Sequence, residues 1–250
     1  MLEKEFDPQN CVFKDDCIKF NTPECKDPCW RQREYFWLLD NSNLPKEHKE
    51  DIKLIPAPQD LEVFEYLDYI RNNIVEFVES GNNLIIAGNT GCGKTCWSTK
   101  LLRKYIMEKS IANGFTERAL FINLIWFISE MRHNINEQSK HFQELRSLCH
   151  TIDLLVFDDI GATAIKSDYI HDELYSIVND RIDNGLCTIY TTNLDNNQLA
   201  LNLGARLSGR IIGKSEIVKI KNKLDLRKLG SDFSFEKFKE GRRTTEDGSK

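Results

Sequence analysis

The sequence predicts an α/β protein: a parallel sheet with helices on both faces and a phosphate-binding loop at the end of its first strand. Three observations point there. From about residue 60 to about residue 220, apolar runs of strand length alternate with amphipathic runs of helix length. Residues 88–95, "GNTGCGKT", fit G-x-x-x-x-G-K-[ST] between an apolar strand and a helix. The apolar run that begins at Leu154 ends in two acids, Asp158 and Asp159.

Composition is that of a globular protein. The 250 residues are 40% hydrophobic and 29% charged, enough to bury a substantial core. Lys and Arg number 34 against 39 Asp and Glu, a formal net charge of −5. That argues against a surface coated in basic charge and leaves room for a local basic patch. No apolar run is long enough to span a bilayer, so no membrane contact is expected. The opening "MLEKEFDPQN" has neither a basic start nor an apolar stretch of the secretory kind. A cytoplasmic, reducing location is therefore expected, and disulfides are not.

The elements follow in order. Residues 1–55 read as a small cysteine-rich segment with one amphipathic run, "CWRQREYFWLLDNSNL", in which Trp30, Phe36, Trp37 and Leu38 recur at roughly helical spacing. "LIPAPQD" is a linker. "LEVFEYLDYIRNNIVEFVESG" then reads as one amphipathic helix closed by Gly81. Within a core domain spanning 56–230, "NLIIAG" is the first strand and "KTCWSTKLLRKYIMEKS" a helix. "ALFINLIWF" is the second strand, part of which belongs equally well to the helix "FISEMRHNI". "HTIDLLVFDDIG" is the third strand, "DYIHDELYSIVNDRIDNG" a helix, "LCTIYTTNL" the fourth strand and "SEIVKIK" the fifth. The closing "KEGRRTTEDGSK" has almost no apolar content, and residues 231–250 are expected to be disordered.

The loop's residue types follow from its task. Backbone N–H groups must turn inward to wrap phosphate oxygens, which requires glycines, here Gly88, Gly91 and Gly93. The helix that follows adds partial positive charge at its N-terminus. Asn89, Thr90, Cys92 and Cys96 complete the expected nucleotide-binding stretch. Lys94 would place its ammonium on the β- and γ-phosphates of ATP, and the Thr95 hydroxyl would ligate Mg²⁺. A magnesium site also needs a carboxylate at the C-terminal edge of a neighbouring strand. Asp158 fits that role, and Asp159 stands where a general base would polarise the attacking water. An entire strand–helix unit separates the loop strand from the acid strand, which suits ATPases with another strand inserted between the two. At the tip of the fourth strand, Asn193 is the candidate for contacting both γ-phosphate and water, with a turn-forming Asn as the alternative.

"GNTGCGKT", "LLVFDDIG", "IYTTNL" and "LGARLSGRII", in that order, resemble the AAA+ ATPases of the DnaC/DnaI helicase-loader family. The resemblance covers roughly residues 20 to 228 and extends to IstB-type transposition helper ATPases. It implies a P-loop AAA+ core with a five-stranded parallel sheet and no full lid domain. It also implies an ATPase that loads a hexameric replicative helicase onto single-stranded DNA during replication initiation. The alternatives are an IstB-type transposition helper and an ATP-binding regulatory module with little turnover. By resemblance, Arg210 is an arginine finger reaching a neighbouring subunit's γ-phosphate, with Arg206 the next choice. Arg227, in "NKLDLRK", matches the second sensor arginine. A surface arginine with a salt-bridge partner is the plainer reading of each. The family tends to carry Asp-Glu where this chain has Asp158-Asp159, so slow hydrolysis is expected.

Cys11, Cys17, Cys25 and Cys29 could close a tetrahedral zinc site. Unliganded cysteines, or two or three of them with His48, are the alternatives. Arg132, His133, Lys140 and Lys166 are candidate DNA contacts, although a solvated helix face is the preferred reading of any one of them.

Overall fold

The computed structural model describes residues 11–222 apart from 16, 27–28, 51, 53, 111–115 and 134–138. Arg227 and the expected disordered end at 231–250 lie outside the described residues.

Five strands form one sheet: β1 (Asn83–Gly88), β2 (Ala119–Asn123), β3 (Leu154–Asp158), β4 (Cys187–Thr192) and β5 (Ser215–Ile220). Their order is β2-β3-β4-β1-β5, and every neighbouring pair is parallel. As the intervening strand–helix unit predicted, β1 does not pair with the acid strand β3; β4 lies between them. Side chains along each strand alternate between two hydrophobic layers. Leu84 and Ile86 of β1, Leu154 and Val156 of β3, and Cys187 and Ile189 of β4 enter one layer. Ile85, Leu155, Phe157 and Tyr190 enter the other.

Helices α1 (Trp30–Asn41), α2 (Leu61–Asn72), α3 (Ile74–Glu79) and α4 (Lys94–Lys109) share the first layer. Helices α5 (Leu124–His133), α6 (Lys140–Thr151), α7 (Asp168–Asp183), α8 (Asn196–Leu203) and α9 (Ala205–Gly213) share the second. The single helix expected to end at Gly81 is two, broken at Asn73. Asn73 Nδ2 donates 2.9 Å to the Tyr69 carbonyl, and such a side chain competes with helical backbone pairing. The second strand ends at Asn123, where the Asn123 side chain caps the Trp126 N–H and starts α5.

The amino-terminal residues pack into the same core as the sheet. Phe13, Tyr35, Leu38, Leu39 and Leu44 join the layer that holds Trp97 and Leu101 of α4. Strand β2 lies at an edge of the sheet, and residues leaving α1 cover it. Phe121 N–H donates 2.8 Å to the Ser42 carbonyl, and Asn43 Nδ2 donates 3.0 Å to the Phe121 carbonyl. An edge strand satisfied in this way is no template for pairing with another chain.

Under the opposite layer, Arg181 of α7 is fully buried. Among the described residues it faces no carboxylate within hydrogen-bonding distance. Its guanidinium donates to Thr188 Oγ1 and to the carbonyls of Cys149, Ile152, Asp153 and Cys187. These bonds tie α7 to the end of α6 and to the starts of β3 and β4. Together with the sheet register, they set the C-terminal ends of the strands, where the site forms.

Candidate nucleotide-binding site

The loop between β1 and α4 follows the phosphate-loop pattern in its geometry. Gly93, which caps α4, has φ +101°, a conformation L side chains rarely adopt. Gly88 is required by space: a Cβ there would stand 2.7 Å from the Ile220 carbonyl and 2.8 Å from Cys92 Sγ. Lys94 is buried, 6% exposed, and its ammonium donates to the carbonyls of Gly88 and Asn89, 2.9 Å each. The lysine thus lies along the concave loop rather than in solvent. Cys92 is buried beside it, and burial pushes its thiol up, so it is a packing residue and a poor nucleophile.

The two residues expected to share a cation meet directly. Thr95 Oγ1 donates to both carboxylate oxygens of Asp158, at 3.0 and 3.2 Å. Asp158 is 4% exposed. Burial pushes its carboxyl up to about 6, and the neighbouring Asp159 adds to this. Hydrogen bonds from Thr191 and Thr95, and the Lys94 ammonium, act in the other direction. A hydroxyl and a desolvated carboxylate side by side are hard oxygen donors, and they fit Mg²⁺.

Asp159 departs from the strand. Its φ is +58°, in the left-handed region that Asp and Asn tolerate better than other side chains. Its carboxylate is half-buried and takes no hydrogen bond from the described residues. Its N–H donates 2.9 Å to Thr191 Oγ1. Asn193 lies one residue beyond β4, is exposed, and makes no hydrogen bond among the described residues.

The arginines of α9 differ from each other. Arg206 is exposed and has no partner among the described residues. Arg210 is engaged within its own chain by Asn179 and Asp183 of α7. Of the candidate DNA contacts, Arg132 and His133 are exposed at the end of α5, and Lys166 is exposed after β3. Lys140 is exposed with Glu144 at 3.8 Å, a solvated pair of little energetic weight.

The expected zinc site is not shown. Among the described residues no group of three or more His, Cys, Asp or Glu is arranged to hold a metal ion. Cys11, Cys17, Cys25 and Cys29 are free thiols. Cys11 is instead spent on the core, where burial pushes its thiol up and the nearby Cys29, Cys17 and Cys25 add to this. His48, considered as a replacement ligand, is buried with Nδ1 3.3 Å from Thr99 Oγ1 of α4.

Sequence reasoning missed three contributors. Thr191 bonds to both acids. Asn179 and Asp183 hold Arg210. Asp60, fully buried ahead of α2, accepts the Lys221 and Asn222 N–H groups at 2.6 and 2.9 Å and so anchors the chain leaving β5. Ile220, the neighbouring residue, backs Gly88. No local pattern marks these residues, because each works through a partner far away in the chain.

Comparison with known proteins agrees with this geometry. The family of IstB-like ATP binding proteins matches residues 64–229, more than half of the chain. No curated protein sequence matches significantly. Among solved structures, the DnaC helicase loader superposes with TM-score 0.56 at 22% identity, covering 76% of this chain and 99% of that one. DnaI superposes with TM-score 0.56 at 21% identity, over 71% of this chain and 95% of the other. AMPPCP-bound DnaA from Aquifex aeolicus gives TM-score 0.55 at 19% identity, over 70% of this chain and 50% of that one. At such identities the likeness establishes the fold alone: a five-stranded parallel sheet between helical layers, with a phosphate-loop pattern after its first strand.

Proposed function

The chain belongs to the family of IstB-like ATP binding proteins, and from that premise we propose that it is an AAA+ ATPase that loads a replicative helicase onto single-stranded DNA. The observation that carries this reading is the extent of the DnaC match: it takes in 99% of the helicase loader's chain. Mg²⁺, if bound here, would supply positive charge to offset the negative charge of the phosphates. Lys94 turns its ammonium from the Gly88 and Asn89 carbonyls to the phosphates. Thr95 and Asp158 hold the cation. Asp159 orients the attacking water, and Asn193, exposed at the mouth, contacts the γ-phosphate. Arg210 completes the site of a neighbouring subunit. The short side chain of Asp159 makes turnover slow, so the nucleotide times an assembly rather than driving continuous work.

Pull-down with a hexameric replicative helicase tests the partner. Recovery of helicase with ATP, and its release after turnover, is the expected result. No recovery in either ATP or ADP overturns the loader reading. The family match itself favours a second reading, a transposition helper. Recovery of a transposase in place of helicase would select it.

A further inference from the structure

Thr191 stands at the tip of β4 and is fully buried. The β3–β4 ladder pairs Phe157 with Tyr190 and then stops. Beyond that point Asp159 turns to φ +58° and leaves the extended ladder. The Thr191 side chain takes over from the backbone there. Its hydroxyl accepts the Asp159 N–H at 2.9 Å and donates its one proton to Asp158 Oδ1 at 2.7 Å. Its carbonyl accepts the Ile160 N–H at 2.9 Å, and Thr192 Oγ1 donates 2.9 Å to the Ile160 carbonyl. Residues 158–160 are thereby wired to two consecutive threonines of the neighbouring strand.

We propose that Thr191 is the positioning residue of the site: one hydroxyl fixes the carboxylate of Asp158 for the cation and the backbone of Asp159 for the water. The inference rests on the ATPase reading above and deepens it. A hydroxyl has one donor and two acceptor positions, and here one of each is used toward the two acids. The bond to Asp158 is charge-assisted, and accepting the Asp159 N–H strengthens it. With Oδ1 held by Thr191, Oδ2 faces, among the described residues, only the Thr95 hydroxyl, which lies 3.0 Å from Oδ1 and 3.2 Å from Oδ2 and is the group expected to share the cation. Displacing Thr191 moves both acids together, a coupling that no residue on β3 itself provides.

Thr191→Val keeps the branched shape and removes both bonds; Thr191→Ser keeps the hydroxyl. Binding of a fluorescent, non-hydrolysable ATP analogue is measured in EDTA and across a Mg²⁺ titration, with phosphate release measured alongside. In EDTA, Thr191→Val should bind within about twofold of wild type, while its half-effective Mg²⁺ concentration rises about tenfold, the weight of a lost charge-assisted bond. Turnover should fall by at least as much, and Thr191→Ser should recover most of both. A Thr191→Val protein with wild-type Mg²⁺ dependence overturns the proposal. So does an equal loss of binding with and without Mg²⁺, which would mark a merely structural role. If the valine variant does not fold, Thr191→Ala carries the same comparison. Wild type that binds the analogue but releases no phosphate sinks the ATPase reading, and the Mg²⁺ titration still decides Thr191.

Discussion

Arg210 and Asp183 form an ion pair at 3.1 Å across the α7–α9 contact, and Asn179 joins it. Arg210 Nε donates 3.0 Å to Asn179 Oδ1, and Asn179 Nδ2 in turn donates 2.7 Å to Asp183 Oδ2. The arginine expected to reach a neighbouring subunit is therefore held, within one chain, by the helix it packs against. The pair is partly exposed, so breaking it costs about 1 kcal/mol or less. A cation held this weakly can be drawn away by a triphosphate.

If Arg210 acts across an interface, Arg210→Ala should reduce ATP turnover at high protein concentration by about tenfold or more, the scale of a lost transition-state cation. Affinity for nucleotide should stay near wild type. Asn179→Ala should leave turnover intact or raise it. Turnover measured against protein concentration checks both, and unchanged turnover in Arg210→Ala would transfer the role to Arg206.

The backbone at Asp159 separates two effects of substitution. Asn tolerates φ +58° as Asp does, so Asp159→Asn should keep the melting temperature and lower phosphate release by about tenfold or more. Asp159→Glu restores the longer acid that the resemblance leads one to expect. It should cost about 1 kcal/mol of stability, because a longer side chain fits the left-handed region less well. Thermal melts read beside phosphate release distinguish the two. Wild-type turnover in Asp159→Asn would remove the acid from the mechanism.

Arg181 should be among the residues least tolerant of change. Its removal takes a donor from three buried carbonyls, from the part-buried Asp153 carbonyl and from the Thr188 hydroxyl. Arg181→Ala should destabilise the fold by about 3–5 kcal/mol, and Arg181→Lys by less, since an ammonium can satisfy some of the five acceptors. Urea unfolding measures the difference. A change below about 1 kcal/mol would show that water replaces the guanidinium.

His48 predicts a pH dependence. Burial lowers its pKa below the usual 6.5, Arg103 adds to this, and Glu47 opposes it. The unfolded chain therefore takes up a proton before the folded one does. The stability contributed by neutral His48 is fully present above pH 6.5 and is lost as pH falls through the lowered folded value. Melting temperature should drop over that window in wild type and less in His48→Gln, which cannot titrate. Parallel curves for the two proteins would show that another group carries the acid sensitivity.

Helix and strand periods, the phosphate loop and the acid pair were legible because each is written in contiguous residues. The amphipathic run over 30–41 folds as α1, and the five apolar runs fold as five parallel strands. Even the insertion of a strand between β1 and β3 followed from element order. The break at Asn73 was missed because a side chain competing for the Tyr69 carbonyl overrides an unbroken apolar period. The four cysteines looked like a metal site by type and number. In the structure Cys11 lies in the core with Phe13 and Tyr35.

By itself, the sequence determined the strands of the sheet, the phosphate-loop pattern and the place of the two acids at a strand end, since local propensity and spacing suffice for these. Only the tertiary structure decided which groups hold the acids and the arginine. The Thr191–Asp158, Arg210–Asn179 and Asp60–Asn222 contacts join residues 33, 31 and 162 positions apart. Hydrogen bonds over such separations depend on strand order and helix packing, which no window of sequence contains.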